Sequence, residues 1–270
     1  MPRLKVIIPI YRAALKAEEA EALDNNIRRL ARRDIVLLKP HGLDISHIEA
    51  KYPQAETLGV STEWLGTKRG IAGYNAMMMS ADFYRMFSDT DFILVCHTDA
   101  WIFRDDLDWW MAQPVDHVAA PWVTWPIYSH FPFRQLMELR RNIVPETRML
   151  RSDTYGHVGN GGLSLRRVSA FIAACENHAV EARAFIEARN SMHNEDVFFA
   201  LAATELRTPS VRDAMTFAFD VKPAVCYRET GRQLPMGCHG YRHRSRWGFW
   251  KRFIEKHDGE REGNAGQTSR

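Results

Sequence analysis

The stretch DFILVCHTDAWIF, residues 91–103, decides how this chain is expected to fold. FILVC at 92–96 is an unbroken apolar run, short enough to be a strand buried on both faces of a mainly parallel sheet, and at His97, Thr98 and Asp99 it turns abruptly polar. Side chains alternate along a strand, so His97 and Asp99 share one face while Thr98 points the other way. In open α/β sheets ligands bind beyond the carboxyl ends of such strands. A carboxylate and an imidazole at that place could hold a divalent cation against a phosphate. The competing reading is that Asp99 simply caps a turn.

Working outward, residues 4–10 read as a first strand, 14–32 as a helix with arginines near its C-terminus, and 34–38 as a second strand. This βαβ beginning predicts a doubly wound, Rossmann-like sheet. No GxGxxG follows the first strand, so the dinucleotide fingerprint is absent. Tyr11 and Arg12 could instead hold a base and a phosphate by stacking and charge, or form a surface turn. Residues 70–87 open with GIAGYN and continue as one helix with Tyr74, Met77, Met78, Ala81 and Tyr84 on one side, the methionines reading as core. Gly70 and Gly73 are candidates for close backbone approach to a phosphate. Asp105, Asp106 and Asp108 read as helix caps, and 115–122 as another strand.

The stretch 124–156 differs in character, with Trp125, Tyr128, Phe131 and Phe133 ahead of a basic helical piece at 135–141. Aromatic faces suit sugar rings or nucleobases, which makes this the candidate acceptor region. HVGNGGLSLR at 157–166 reads as a glycine turn entering a short strand, and 168–188 as one amphipathic helix. Glu195 and Asp196 open a further helix with Asn194 as its expected cap, where acidic residues suit the dipole but could equally supply a general base. His239 falls in PMGCHG, a glycine-flanked loop. Beyond it, Trp247, Trp250, Phe253 and Ile254 share a helical face among basic residues, either as a peripheral membrane anchor or as core packing, and 257–270 reads as a disordered tail.

Composition sets the bounds. The 270 residues, 46% hydrophobic and 26% charged, suit a single α/β domain over 1–256. A formal charge of +3 gives no reason to expect nucleic acid. Cys96, Cys175, Cys226 and Cys238 form no CxxC pair and read as reduced thiols. No signal peptide is evident and no run reaches the ~18 apolar residues of a spanning helix. The expectation is a cytoplasmic protein, soluble or peripheral at the inner membrane face.

VIIPIY, GYNAMMMSADFY, HTDAWIF, AAPW, GNGGLSLR, HNEDVFF and GCHG, in that order, resemble the GT-A-type glycosyltransferase-like proteins of the domain-of-unknown-function 5672 family, over about residues 5–241. The resemblance implies a GT-A fold, a Rossmann-like, mixed but mainly parallel sheet flanked by helices. It also implies transfer of a sugar from a UDP- or GDP-linked donor to a glycan, lipid-linked or other hydroxyl acceptor. In such enzymes a DxD-type motif and a C-terminal histidine hold Mn²⁺ or Mg²⁺ against the donor diphosphate. Here His97 stands at the first motif position, Asp99 matches the second aspartate and His239 the histidine. The xED element carries over to Asp196 as the base of an inverting reaction, with Glu195 as its neighbour or an acceptor-positioning group. Gly161 and Gly162 are expected to shape the sugar pocket, and Tyr11, Arg12 and Asn75 to contact the nucleotide. The alternatives are a catalytically silent nucleotide-sugar or glycan-binding module, and a nucleotidyltransferase.

Overall fold

The computed structural model describes residues 2–144, 149–188 and 190–265. Its first half alternates strand and helix: β1 (Leu4–Pro9), α1 (Ala17–Arg29), β2 (Asp34–Pro40), α2 (Ser46–Lys51) and β3 (Glu56–Val60). Then α3 (Ile71–Met78) and α4 (Ala81–Arg85) lead into β4 (Phe92–Cys96), followed closely by β5 (Ala100–Ile102) and α5 (Leu107–Met111). The chain continues through β6 (His117–Pro121), α6 (Phe133–Ile143) and the long β7 (Val158–Arg167). Helices α7 (Val168–Asn177), α8 (Ala179–Ala188), α9 (Glu195–Leu201) and α10 (Val211–Phe217) precede β8 (Ala218–Phe219), α11 (Pro223–Glu229), β9 (Gly237–His239) and α12 (Arg244–Ala265).

Six strands form one sheet in the order β3-β2-β1-β4-β7-β6. β1 to β4 run parallel, whereas β7 is antiparallel to both β4 and β6. β6 therefore points the same way as β1 and β4. Strand alternation divides the core into two layers: Val6, Ile8, Leu37 and Leu94 face one side, and Ile7, Val36, Ile93 and Val95 the other. Every residue of β4 is buried, as the apolar run requires of a central strand. β1 lies between β2 and β4, so strand order reverses there and opens a crevice at the carboxyl ends. A second sheet, β5-β9-β8, stands beyond that crevice.

Several expected elements differ. The helix expected over 70–87 breaks before α4, because the Ser80 hydroxyl accepts from the Asp82 N–H at 3.3 Å and starts a new helix. The one expected over 168–188 breaks at His178, whose ring pairs with Glu205. The GNGG run is not a turn but the first half of β7, and His239 sits in a strand, not a loop. Asp105 and Asp108 serve chiefly as partners of Arg33, at 2.8 and 2.6 Å, although the Asp105 carboxylate also accepts from the Leu107 N–H. In α12 Trp250 stacks on Phe103 and Ile254 is buried beside it, as core packing requires, while Trp247 and Phe253 pack against the same cluster half-buried. Helical backbone runs on to Ala265, into the segment expected as a tail, and residues 266–270 lie outside the described residues.

Candidate functional site

The site grows from the end of β4. His97, Thr98 and Asp99 follow Cys96, and pairing of Ala100 with His239 in the second sheet brings β9 alongside. The Gly240 N–H donates to the Asp99 carbonyl at 3.0 Å and fixes that register. His97, Thr98 and Asp99 are not strand but a turn, closed by the Ala100 N–H donating to the His97 carbonyl at 3.0 Å, and this turn, not strand alternation, brings Asp99 to His239, whose Nε2 lies 3.2 Å from Asp99 Oδ1. One ligand atom from each of the three falls within 4.8 Å of the others. The Tyr74 hydroxyl bonds His97 Nε2 at 2.7 Å, and the two histidine rings meet edge to face at 5.6 Å.

Burial, then the neighbouring His239 charge, pushes His97 down to about 4, so it is a neutral imidazole at pH 7. Burial alone would also lower His239, but the Asp99 charge and hydrogen bond and the Asp220 charge raise it to about 9. Asp99, which burial would raise, is held well below the usual carboxylate range by His239. With His239 giving up its proton to the incoming cation, two imidazoles and an ionised carboxylate make a mixed nitrogen and oxygen donor set that suits a divalent transition ion such as Mn²⁺. His239 Nδ1 is buried without a hydrogen-bond partner and lies 3.8 Å from Asp220 Oδ1. A carboxylate behind a histidine is the arrangement that orients a metal-ligating imidazole. The three residues therefore fit a cation.

Asp220 is itself buried and is gripped by Arg246 of α12 and the Asn160 amide. The glycines of β7 make room for this assembly. A Cβ on Gly162 would stand 2.1 Å from His239 Nε2, and one on Gly161 1.9 Å from Glu195 Oε1. Both glycines keep extended backbone, so the missing side chain matters here and a positive φ does not. The register between β6 and β7 shifts at Ala119 to Pro121, an irregularity that takes Gly161 and Gly162 out of the pairing with β6, while on the other side the Gly162 carbonyl accepts from the His97 N–H just beyond the β4 ladder. Gly159 and Gly73 are likewise close-packing positions, against the Trp122 ring and the Glu63 carbonyl.

Glu195 and Asp196 are neighbours in two different situations. Glu195 is buried and salt-bridged to the fully buried Arg166 at 3.0 Å, which in turn bonds the Tyr84 hydroxyl and Ser164. Asp196 is partly open, and burial followed by the Glu195 charge raises it to about 7. Asn75 ties α3 to this corner: its amide donates to Asn194 at 3.0 Å and its oxygen accepts from the Glu195 N–H. Asn194 holds the first position before α9, yet its side chain caps nothing.

Two cavities share Ile71 of α3, and one of them reaches His97. One of about 290 Å³ is lined by Tyr11, Leu65, Ile71, Tyr74 and His97, and is mainly apolar. The other, about 470 Å³, carries Lys68, Arg69, Asn75, His193 and Asn194. Tyr11 stands beside Thr98 and Asp99 at the mouth of the first. Arg12 is engaged by Glu19 of α1. Tyr74 as a polar partner, Asn160, Arg166, Asp220 and Arg246 were not foreseen from the sequence. Arg166 alone carried a signal, being a charged residue inside an otherwise apolar strand pattern.

A family profile described as protein of unknown function (DUF5672) matches residues 55–239. No curated protein matches the chain. Among solved structures it is similar to the galactosyltransferase LgtC in complex with donor and acceptor sugar analogs, at 13% identity and a TM-score of 0.57, covering 93% of this chain and 94% of that one. It is also similar to apo mouse xyloside xylosyltransferase 1, at 11% identity and a TM-score of 0.52, covering 88% and 97%. At such identities the likeness establishes the fold, which is GT-A.

Proposed function

The chain belongs to the DUF5672 family and carries a GT-A fold, and from those premises we propose that it transfers a sugar from a nucleotide-sugar donor to a hydroxyl acceptor. The observation that supports this reading most is the His97, Asp99 and His239 cluster at the crevice, with a carboxylate titrating near neutrality at the adjoining start of α9. A divalent cation held by these three residues would neutralise charge on the departing diphosphate. Tyr11 would stack on the base in the apolar cavity, leaving Lys68 and Arg69 at the other cavity to meet phosphate or sugar oxygens. Asp196 would take the acceptor proton, because a base titrating near 7 is half available at neutral pH and still strong enough to accept a proton. Glu195, locked on Arg166, would position the start of α9 and not touch substrate.

Direct attack by a base-activated acceptor inverts the anomeric centre. The donor is expected to be linked to UDP or GDP. Incubating the protein with a panel of nucleotide-sugars, with Mn²⁺ or Mg²⁺ and with chelator, tests the reading by nucleoside diphosphate released, and NMR of the product gives its anomeric configuration. Binding without release by any donor and acceptor pair would mark a binding module, and release of pyrophosphate from a triphosphate a nucleotidyltransferase. Asp99→Ala and His239→Ala should each lose cation-dependent nucleotide binding; unchanged Mn²⁺ dependence in both would remove the cluster from the site.

A further inference from the structure

α6 is an 11-residue amphipathic helix none of whose side chains is buried. Leu136, Leu139 and Ile143 are 62%, 55% and 73% exposed, and their spacing places them on one stripe of the helix with Arg140 at its border. Phe131, 81% exposed, stands just before the helix, and Trp125, Ile127 and Tyr128 are also exposed. Of the three arginines between residues 125 and 144, Arg134 pairs with Glu138 at 2.9 Å and Arg141 with Asp153 at 3.3 Å, and Arg140 lies beside the apolar stripe. α12 packs Trp250 and Ile254 into the core; α6 leaves its apolar stripe open.

We propose that this face docks on an anionic lipid surface. Aliphatic side chains enter the acyl boundary, Trp125 and Tyr128 suit the headgroup level with an apolar body and a polar tip, and Arg140, beside the stripe, meets an anionic headgroup. Leu136, Leu139 and Ile143 offer nothing to a sugar, which presents hydroxyls. A second copy seated on the same stripe would bring Arg140 toward its own equivalent, a like-charge contact that an anionic surface does not make. Among the described residues no helix is long and apolar enough to cross a membrane.

The position gives the contact a use. Because β6 runs parallel to β4, the chain leaves it at the rim where the His97, Asp99 and His239 cluster lies. The first residues of the segment are tied to the site's own support, since Lys222, two residues beyond Asp220, donates to the Val123 carbonyl at 2.7 Å. A bilayer seated on α6 would lie on the segment that leaves β6 at this rim, the side of the sheet on which a membrane-anchored acceptor would have to be presented.

Flotation of the full chain with phosphatidylcholine vesicles, with and without phosphatidylglycerol, tests the proposal at low and high salt. Binding is expected only with the anionic lipid, weakening with salt. In the triple variant Leu136→Ser, Leu139→Ser, Ile143→Ser it should fall about tenfold or more. An unchanged melting temperature of that variant would show the loss to be local, and Arg140→Glu should weaken binding without touching the apolar stripe. Failure of the full chain to float with anionic vesicles, or undiminished binding by the triple variant, overturns the proposal. So does a concentration-dependent dimer in sedimentation velocity that this variant abolishes, which assigns the face to a second copy. No readout uses turnover, so the result is independent of the transferase reading.

Discussion

Asp196 titrates near 7 because burial, then the Glu195 and Asp220 charges, penalise its ionised form. If it is the base, Asp196→Asn should lower kcat by ~10²–10⁴-fold with little effect on donor binding. The native rate should rise with pH through about 7, and the residual rate of the variant should lack that limb. Stability should move the opposite way. The unfolded carboxyl titrates near 3.8 and the folded one near 7, so between those values the folded state keeps a proton that the unfolded state releases, and stability falls as pH rises. Asp196→Asn is thus expected to melt higher than the native protein at pH 8 and to lose that advantage near pH 4. A melting difference that does not change with pH would show that Asp196 is not held in its neutral form by the fold. At Gly162 the expectation is steric: with a Cβ 2.1 Å from His239 Nε2, Gly162→Ala should displace that ring and weaken Mn²⁺ binding, read by electron paramagnetic resonance. Native affinity in a folded Gly162→Ala protein would place the cation elsewhere.

At the scale of elements, β1, β2, β4 and β6 were legible because each is a bounded apolar run whose burial follows from its own residues, whereas β3, a half-exposed edge strand, was not expected. β1, β2 and β4 fall within two residues of the expected limits. The glycines of β7 misled for the opposite reason. Locally they punctuate a chain, but here Gly161 and Gly162 clear space for Glu195 and His239, which arrive from elements far along the sequence. β9 is three residues long and its partner β5 is also three, so neither carries a periodic pattern, and only their pairing makes Asp99 and His239 one site. Asp220 left no trace because its role rests on groups from three separate elements. Between β7 and α9 the buried Arg166 and Glu195 pair carries its own prediction. Removing one member leaves an uncompensated charge, so Glu195→Gln should cost ~3–5 kcal/mol in denaturant unfolding. Replacing both, with Arg166→Met added, should recover part of the loss; an additive loss instead would show that the two residues act independently.

For the whole molecule, the question the sequence left open was which apolar surface meets water. Residues 242–256 and α6 both place aromatic or aliphatic side chains on one helical face among arginines, and that pattern suits a membrane interface and a packed core equally well. The fold supplies what the pattern lacks. α12 finds Phe103, Met215 and Phe219 waiting, closes over them with Trp250 and Ile254, and sends Arg246 to Asp220, so it belongs to both the core and the support of the site. α6 finds no such partner among the described residues. The two helices should therefore answer to opposite assays. Trp250→Ala should cost ~3–5 kcal/mol in stability, as large-to-small changes of buried aromatics do, while the remaining folded protein binds anionic vesicles as before. Truncation after Tyr241 should go further and weaken Mn²⁺ binding as well, since Asp220 then loses Arg246. The α6 triple variant should keep the native melting temperature and lose the vesicles. Were Trp250→Ala instead to leave stability intact and abolish flotation, α12 would be the anchor, and its inward packing would not describe the protein in solution.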